Sequence, residues 1–207
     1  GWVGIAHAPH NYPDFVADIV NQKPNYFINE SAYKVCWSRC LGMFTLSEYL
    51  ANEYRRLLPG VTVERLWHPT EFVDLKFTME RFNNNPDRKI VQVGYWLRKL
   101  TSILKLNIPD YLRKGLVEPR MHIPHIRKLW SECRRVEMGI EQSEFSDETQ
   151  PFGPAMRKFK EVCKHHKTEP FSHMSDADYD KLLSENVVLL DVYDMSASNL
   201  IVECIVR

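Results

Sequence analysis

Lys89-Ile90-Val91-Gln92-Val93-Gly94-Tyr95-Trp96-Leu97-Arg98-Lys99 decides the fold class. The first half is a short apolar run rich in β-branched residues, which reads as a buried strand. It ends at Gly94, and a basic pair, Arg98 and Lys99, follows close behind. A strand that gives way to a glycine and a polar turn is how a parallel strand passes the chain to a helix. Free N–H groups at such a junction attract anions, and Arg and Lys add charge-assisted contacts. Gly94, Arg98 and Lys99 are therefore candidate phosphate-binding residues. The competing reading is a solvated pair beside an ordinary turn.

Upstream the same rhythm recurs. Residues 2–6 read as a strand and 7–13 as a proline-bearing loop, with a short helix over 14–20. Tyr33, Cys36, Trp37 and Cys40 fall at helical spacing, so 30–40 is predicted helical with Gly42 as its stop. Residues 43–46 read as a strand. Ser47 is a good N-cap for a helix that Pro59-Gly60 ends, and 61–67 reads as another strand. Strand, helix, strand in short units predicts an α/β fold with parallel sheets. The polar stretch 78–88 is taken as a linker. The expected domains are 1–77 and 89–207.

Downstream the signals are uneven. Residues 107–124 carry three prolines and yield no assignment. Residues 125–139 read as a helix, 141–151 as an acidic loop, and Pro154 fits the first turn of a helix reaching about residue 166. Residues 176–183 suit a short helix and 187–192 a buried strand. Ser196 or Ser198 then caps a terminal helix.

Composition narrows the function. The chain has 207 residues, 44% hydrophobic and 12% aromatic, enough for a substantial core. Lys+Arg and Asp+Glu are 27 each, a net charge of zero, which argues against a broad nucleic-acid surface. No apolar run approaches the ~18 residues of a membrane span. The five cysteines are spaced without any C-x-x-C and read as reduced cytoplasmic thiols. The chain begins within an apolar run and ends one turn after Leu200-Ile201-Val202, the pattern expected of an internal piece of a longer protein.

Other chemistry finds little support. There is no G-x-G-x-x-G and no G-x-x-x-x-G-K-[ST], so dinucleotide dehydrogenases and P-loop kinases are not expected. A second anion site is conceivable at Ser196-Ala197-Ser198-Asn199, at a helix start. Glu203 lies one turn beyond Asn199 and shares its helix face. There it would accept ribose hydroxyls or lie half-exposed as a surface carboxylate. Cys163, His165, His166 and His173 cluster, as do the pairs His7 and His10, and His122 and His125, but none has a zinc spacing. No metal is expected, and a zinc-bound interaction domain using Cys163, His165 and His173 is the weakest alternative. No G-x-S-x-G is present. The five tryptophans read mostly as core.

In order, these segments resemble a GT-B glycosyltransferase of the large retaining group that uses nucleotide sugars. In that family an apolar strand ends in a His facing the donor sugar, and Trp2-Val3-Gly4-Ile5-Ala6-His7 is similar. Met43 to Leu50 and then Leu66 to Phe72 have the layout of the strand, Ser-capped helix, strand and turn that precede the interdomain linker. Lys89 to Gly94 with Arg98-Lys99 resembles the strand, glycine and basic pair that bind the pyrophosphate. Val187 to Val192 and then Asp194 to Ile205 resemble the closing strand, loop and ribose-binding helix. The family's paired glutamates, eight apart, are not reproduced: Met195 stands eight residues before Glu203.

The resemblance implies parts of two Rossmann-like domains, both truncated. It implies metal-independent transfer of a sugar from a nucleotide diphosphate to an acceptor hydroxyl, with no cofactor. Gly94, Arg98, Lys99, Ser198 and Asn199 would hold the donor phosphates and Glu203 the ribose. His7 would face the sugar and His10 the acceptor. The implied partners are the nucleotide sugar and a glycan, lipid or protein acceptor, with no nucleic acid. The location would be cytoplasmic, with room for a peripheral membrane contact. The alternative is a non-catalytic module of GT-B-like fold that binds a nucleotide or a protein partner.

Overall fold

A computed structural model describes residues 1–9, 13–16, 28–29, 31–67, 74–120, 122–139, 152–172, 174–195 and 198–207. It is an α/β protein with parallel sheets, and the chain divides into two compact units. Unit 1 is Gly1–Glu71 with Tyr193–Ile201, and unit 2 is Phe72–Val192 with Val202–Arg207.

Unit 1 is built on strands β1 (Trp2–Ala6), β2 (Cys40–Thr45) and β3 (Val63–Arg65), all parallel, in that spatial order. Helix α1 (Ser31–Trp37) precedes β2 in the chain, and α2 (Glu48–Leu57) joins β2 to β3. Ser47 caps α2 as expected, its hydroxyl accepting from the Leu50 amide at 3.2 Å. Leu50, Ala51 and Tyr54 share the buried face of α2 and pack with Ala6, Met43 and Val63 from the sheet. Gly42, read as a helix stop, lies inside β2 opposite Val3. The helix ends at Trp37 instead, where Ser38 Oγ donates to the Val35 carbonyl and competes with helix propagation.

Unit 2 opens with α3 (Met79–Asn84), capped by the Thr78 hydroxyl on the Arg81 amide. The stretch expected as a linker thus holds a helix, because a local cap offsets its polar composition. Then come β4 (Lys89–Gln92), α4 (Ser102–Lys105), β5 (Arg113–Val117), α5 (Pro124–Met138) and α6 (Phe152–His165). β6 (Thr168–Phe171), α7 (Asp176–Glu185), β7 (Val187–Leu189) and α8 (Asn199–Val206), of which Val202 onward belongs to unit 2, complete the order. The sheet runs β6-β5-β4-β7, all parallel.

The core of unit 2 follows helical periodicity. Ile126, Leu129, Trp130 and Cys133 on α5, and Ala155, Phe159 and Cys163 on α6, are all buried. Trp130 and Phe159 meet edge to face at 5.3 Å, a favoured aromatic geometry. Not every tryptophan is core: Trp67 is 73% exposed, with the Arg65 guanidinium stacked 3.6 Å from its ring.

Two strands went unread in the sequence. β5 contains Lys114 and Gly115, and β6 contains Pro170. Pro170 is tolerated because β6 is an edge strand, where a missing amide donor costs least. Gly115 is required because a Cβ there would stand 2.4 Å from the Phe171 ring.

Candidate functional site

In unit 2 the chain moves from β4 outward to β5 and β6, then returns to place β7 on the other flank of β4. That reversal is a topological switch point, and ligands of open α/β sheets bind just beyond the carboxyl ends of the strands there. The two segments leaving those ends are 93–101 after β4 and 190–192 after β7. They touch: Arg98 and Val192 form an antiparallel bridge, and the Lys99 amide donates to the Asp191 carbonyl at 2.9 Å.

The first segment is tightly determined. Gly94 has φ +82 and Leu97 φ +53, both in the left-handed region that costs a side-chain-bearing residue free energy. Gln92, fully buried at the end of β4, fixes the loop from beneath. Its amide nitrogen donates to the Lys99 carbonyl at 2.9 Å, and its oxygen accepts from the Ile103 amide at 3.0 Å. Both polar atoms are satisfied, as burial demands. The loop is preorganised by its own strand.

The charged groups sit on that frame. Arg98 is half-buried, and its Nη1 donates to the Trp96 carbonyl at 3.0 Å. Burial pushes its guanidinium down from the ordinary value, and Tyr179 opposes that shift. Lys99 Nζ lies 2.9 Å from Asp191 Oδ1, while Ser102 Oγ donates to Asp191 Oδ2 at 2.7 Å. Burial tends to raise the Asp191 carboxyl, but the hydrogen bonds from Lys99 and Ser102 outweigh it and hold the pKa below its usual value.

Glu203 on α8 accepts from the Tyr179 hydroxyl at 3.0 Å. Burial first, then the neighbouring Glu203 charge, pushes the Tyr179 phenol well above its usual range. Tyr179 is therefore a neutral donor that orients the carboxylate. Within unit 2 the structure thus brings Gly94, Arg98 and Lys99 together, and gives Glu203 a defined partner.

The remaining predicted residues belong to unit 1. His7 is exposed directly after β1. Ser198 is buried immediately before α8, and Asn199 is the first residue of that helix. His10 and Ser196 lie outside the described residues. Of the zinc candidates, Cys163 is buried with its thiol pushed up to about 12 by burial and then by Glu118. His173 also lies outside the described residues. No group of three or more His, Cys, Asp or Glu among the described residues is placed to hold a metal ion.

Sequence reading missed Gln92, Asp191, Ser102 and Tyr179. Asp191 carried a usable signal, being the first charged residue after the apolar run 187–190, at a strand's carboxyl end. Tyr179 carried none, since its role depends on α7 meeting α8.

No family model, curated protein or solved structure matches this chain. No helix among the described residues is long and apolar enough to cross a membrane.

Proposed function

We propose that this chain is part of a GT-B-like glycosyltransferase, with unit 2 as the nucleotide-sugar donor domain. The observation that carries the reading is the meeting of the Gly94–Lys99 loop and the Asp191–Val192 segment at the switch point of a parallel sheet. That position, with a left-handed glycine and a half-buried arginine, suits a diphosphate.

In the proposed reaction an acceptor hydroxyl oxygen bonds to the anomeric carbon of the donor sugar. The bond from that carbon to the phosphate oxygen breaks, and the hydroxyl proton passes to a base. Negative charge grows on the departing nucleoside diphosphate. Arg98 would stabilise it from a fixed position, which is where preorganised electrostatics act most strongly. Lys99 would join only after leaving Asp191. Glu203, oriented by Tyr179, would accept the ribose hydroxyls. His7 and His10 are assigned to the sugar and acceptor by the resemblance alone.

The test is calorimetric titration of UDP, GDP, dTDP, ADP and CMP into wild-type protein and Arg98→Ala. Saturable binding of one nucleotide at about micromolar Kd, lost in Arg98→Ala, supports the donor site and sets the base. Binding without transfer to any acceptor supports the non-catalytic binding module. No binding by any of the five removes the nucleotide reading.

A further inference from the structure

The strands of unit 2 are parallel, so the ends where β5 and β6 begin lie opposite the switch point. A cavity of about 510 Å³ opens there, lined in part by Lys114, His165, His166 and Lys167, with Asp110 as its one acidic wall among the described residues. Its charge pattern differs from that of a larger cavity of about 850 Å³ lined by residues including Lys76, Arg81, Asp180 and Glu185. In the larger cavity cations meet carboxylates directly, Lys76 lying 2.7 Å from Asp180.

Lys114 is the unusual member. It is only 7% exposed, and its ammonium donates to the carbonyls of Leu104 at 3.0 Å and Leu106 at 3.3 Å. Those carbonyls close the carboxyl end of α4 and carry only part of a negative charge. Among the described residues no carboxylate pairs with this ammonium, and a buried charge without a counter-ion is costly. Burial, then the charge of Lys167, pushes Lys114 below its ordinary value.

Further basic side chains line the same cavity. The His165 and His166 rings stand edge to face at 4.9 Å. Burial, then His165 and Lys114, depresses the His166 imidazole; the Leu104 carbonyl opposes this, and Arg134 adds to it. Lys167 is held in the left-handed region at φ +50, its amide donating to the Lys164 carbonyl at 3.1 Å. A buried ammonium with no carboxylate partner, lining one cavity with two histidines and a second lysine, makes a positive pocket that an anion would relieve.

We infer that this cavity is a second binding site, separate from the switch point, for a compact dianion of the phosphate monoester class held by Lys114, Lys167 and the two histidines. The site is independent of the nucleotide reading.

The experiment is titration of the full chain with inorganic phosphate at constant ionic strength, with chloride as the control. Heat and the imidazole NMR signals are both followed. Saturable binding is expected at about millimolar Kd, with the His166 titration moving to higher pH only in phosphate. Lys167→Asn removes one charge while suiting the left-handed backbone, so it should fold normally and weaken binding by about fivefold or more. Lys114→Met should weaken it too. Arg98→Ala should leave the phosphate-dependent His166 shift unchanged, since Arg98 does not line this cavity.

The inference is overturned if about 20 mM phosphate gives no saturable signal, or if His166 titrates alike in phosphate and chloride. Binding that survives Lys167→Asn intact also overturns it and leaves Lys114 as a cap on α4. So does binding abolished by Arg98→Ala, which would belong to the switch point.

Discussion

Lys99 Nζ lies 2.9 Å from Asp191 Oδ1, so a phosphate at the proposed switch-point site would have to draw Lys99 away from a carboxylate. The pair is about 40% exposed on either side, and such pairs contribute about 0–1 kcal/mol to stability. It is therefore a weak structural bond but a direct competitor for a phosphate. Asp191→Asn should raise affinity for a nucleoside diphosphate by about fivefold, the value of one unit charge at contact in near-aqueous surroundings. Stability should fall by less than about 1 kcal/mol. Calorimetric titration beside urea unfolding measures both. Unchanged affinity would mean that Lys99 never reaches the phosphate.

Gly94 tests the loop itself. Its φ of +82 strains any substitution, and an added Cβ would sit 3.7 Å from Arg98 Nε. Contact at that distance is ordinary, so the penalty comes from the backbone. Gly94→Ala should cost about 1 kcal/mol or more. It should also weaken nucleotide binding beyond what that stability loss explains, because the loop and Arg98 move together. Normal binding in a folded variant would separate Gly94 from the site.

How much of this was readable beforehand depended on whether a signal was local. The strand into Gly94 and the pair after it were visible because sequence neighbours fix both. The Ser47 cap was visible for the same reason. β5 was hidden because Lys114 and Gly115 each answer to distant groups, the end of α4 and the Phe171 ring. β6 was hidden by Pro170, which only its edge position excuses. The same division runs through the candidate site: Arg98 could be named from its sequence neighbours, whereas Asp191, Ser102 and Tyr179 are placed by partners far along the chain.

Gly115 offers a test of the packing argument. A Cβ there would lie 2.4 Å from Phe171 Cε2 and 3.1 Å from Val91 Cγ1. Gly115→Ala should destabilise by about 1–3 kcal/mol through overpacking. Replacing Phe171 with Leu in the same chain should recover at least about half of that loss, since the closest clash is with the ring. Urea midpoints of the two single variants and the double variant decide it. Strictly additive losses would place the strain on Val91 or the backbone instead.

Tyr179 and Glu203 carry a pH signature. Burial, then the Glu203 carboxylate 3.0 Å away, raises the phenol above its ordinary value of 10.0. The unfolded chain therefore loses this proton first as pH rises. The contribution of Tyr179 is fully present below about pH 10 and is lost as pH climbs from there toward the folded pKa. Burial also raises Tyr54, and burial and Asp194 raise Tyr49, so the alkaline decline has several sources. Tyr179→Phe should flatten it without abolishing it, and should cost about 1 kcal/mol near neutrality for the lost hydrogen bond. Urea unfolding from about pH 7 to pH 11, wild type against Tyr179→Phe, gives both quantities. Two parallel curves would mean that Tyr179 titrates alike in the folded and unfolded chains, and that neither burial nor Glu203 perturbs its phenol.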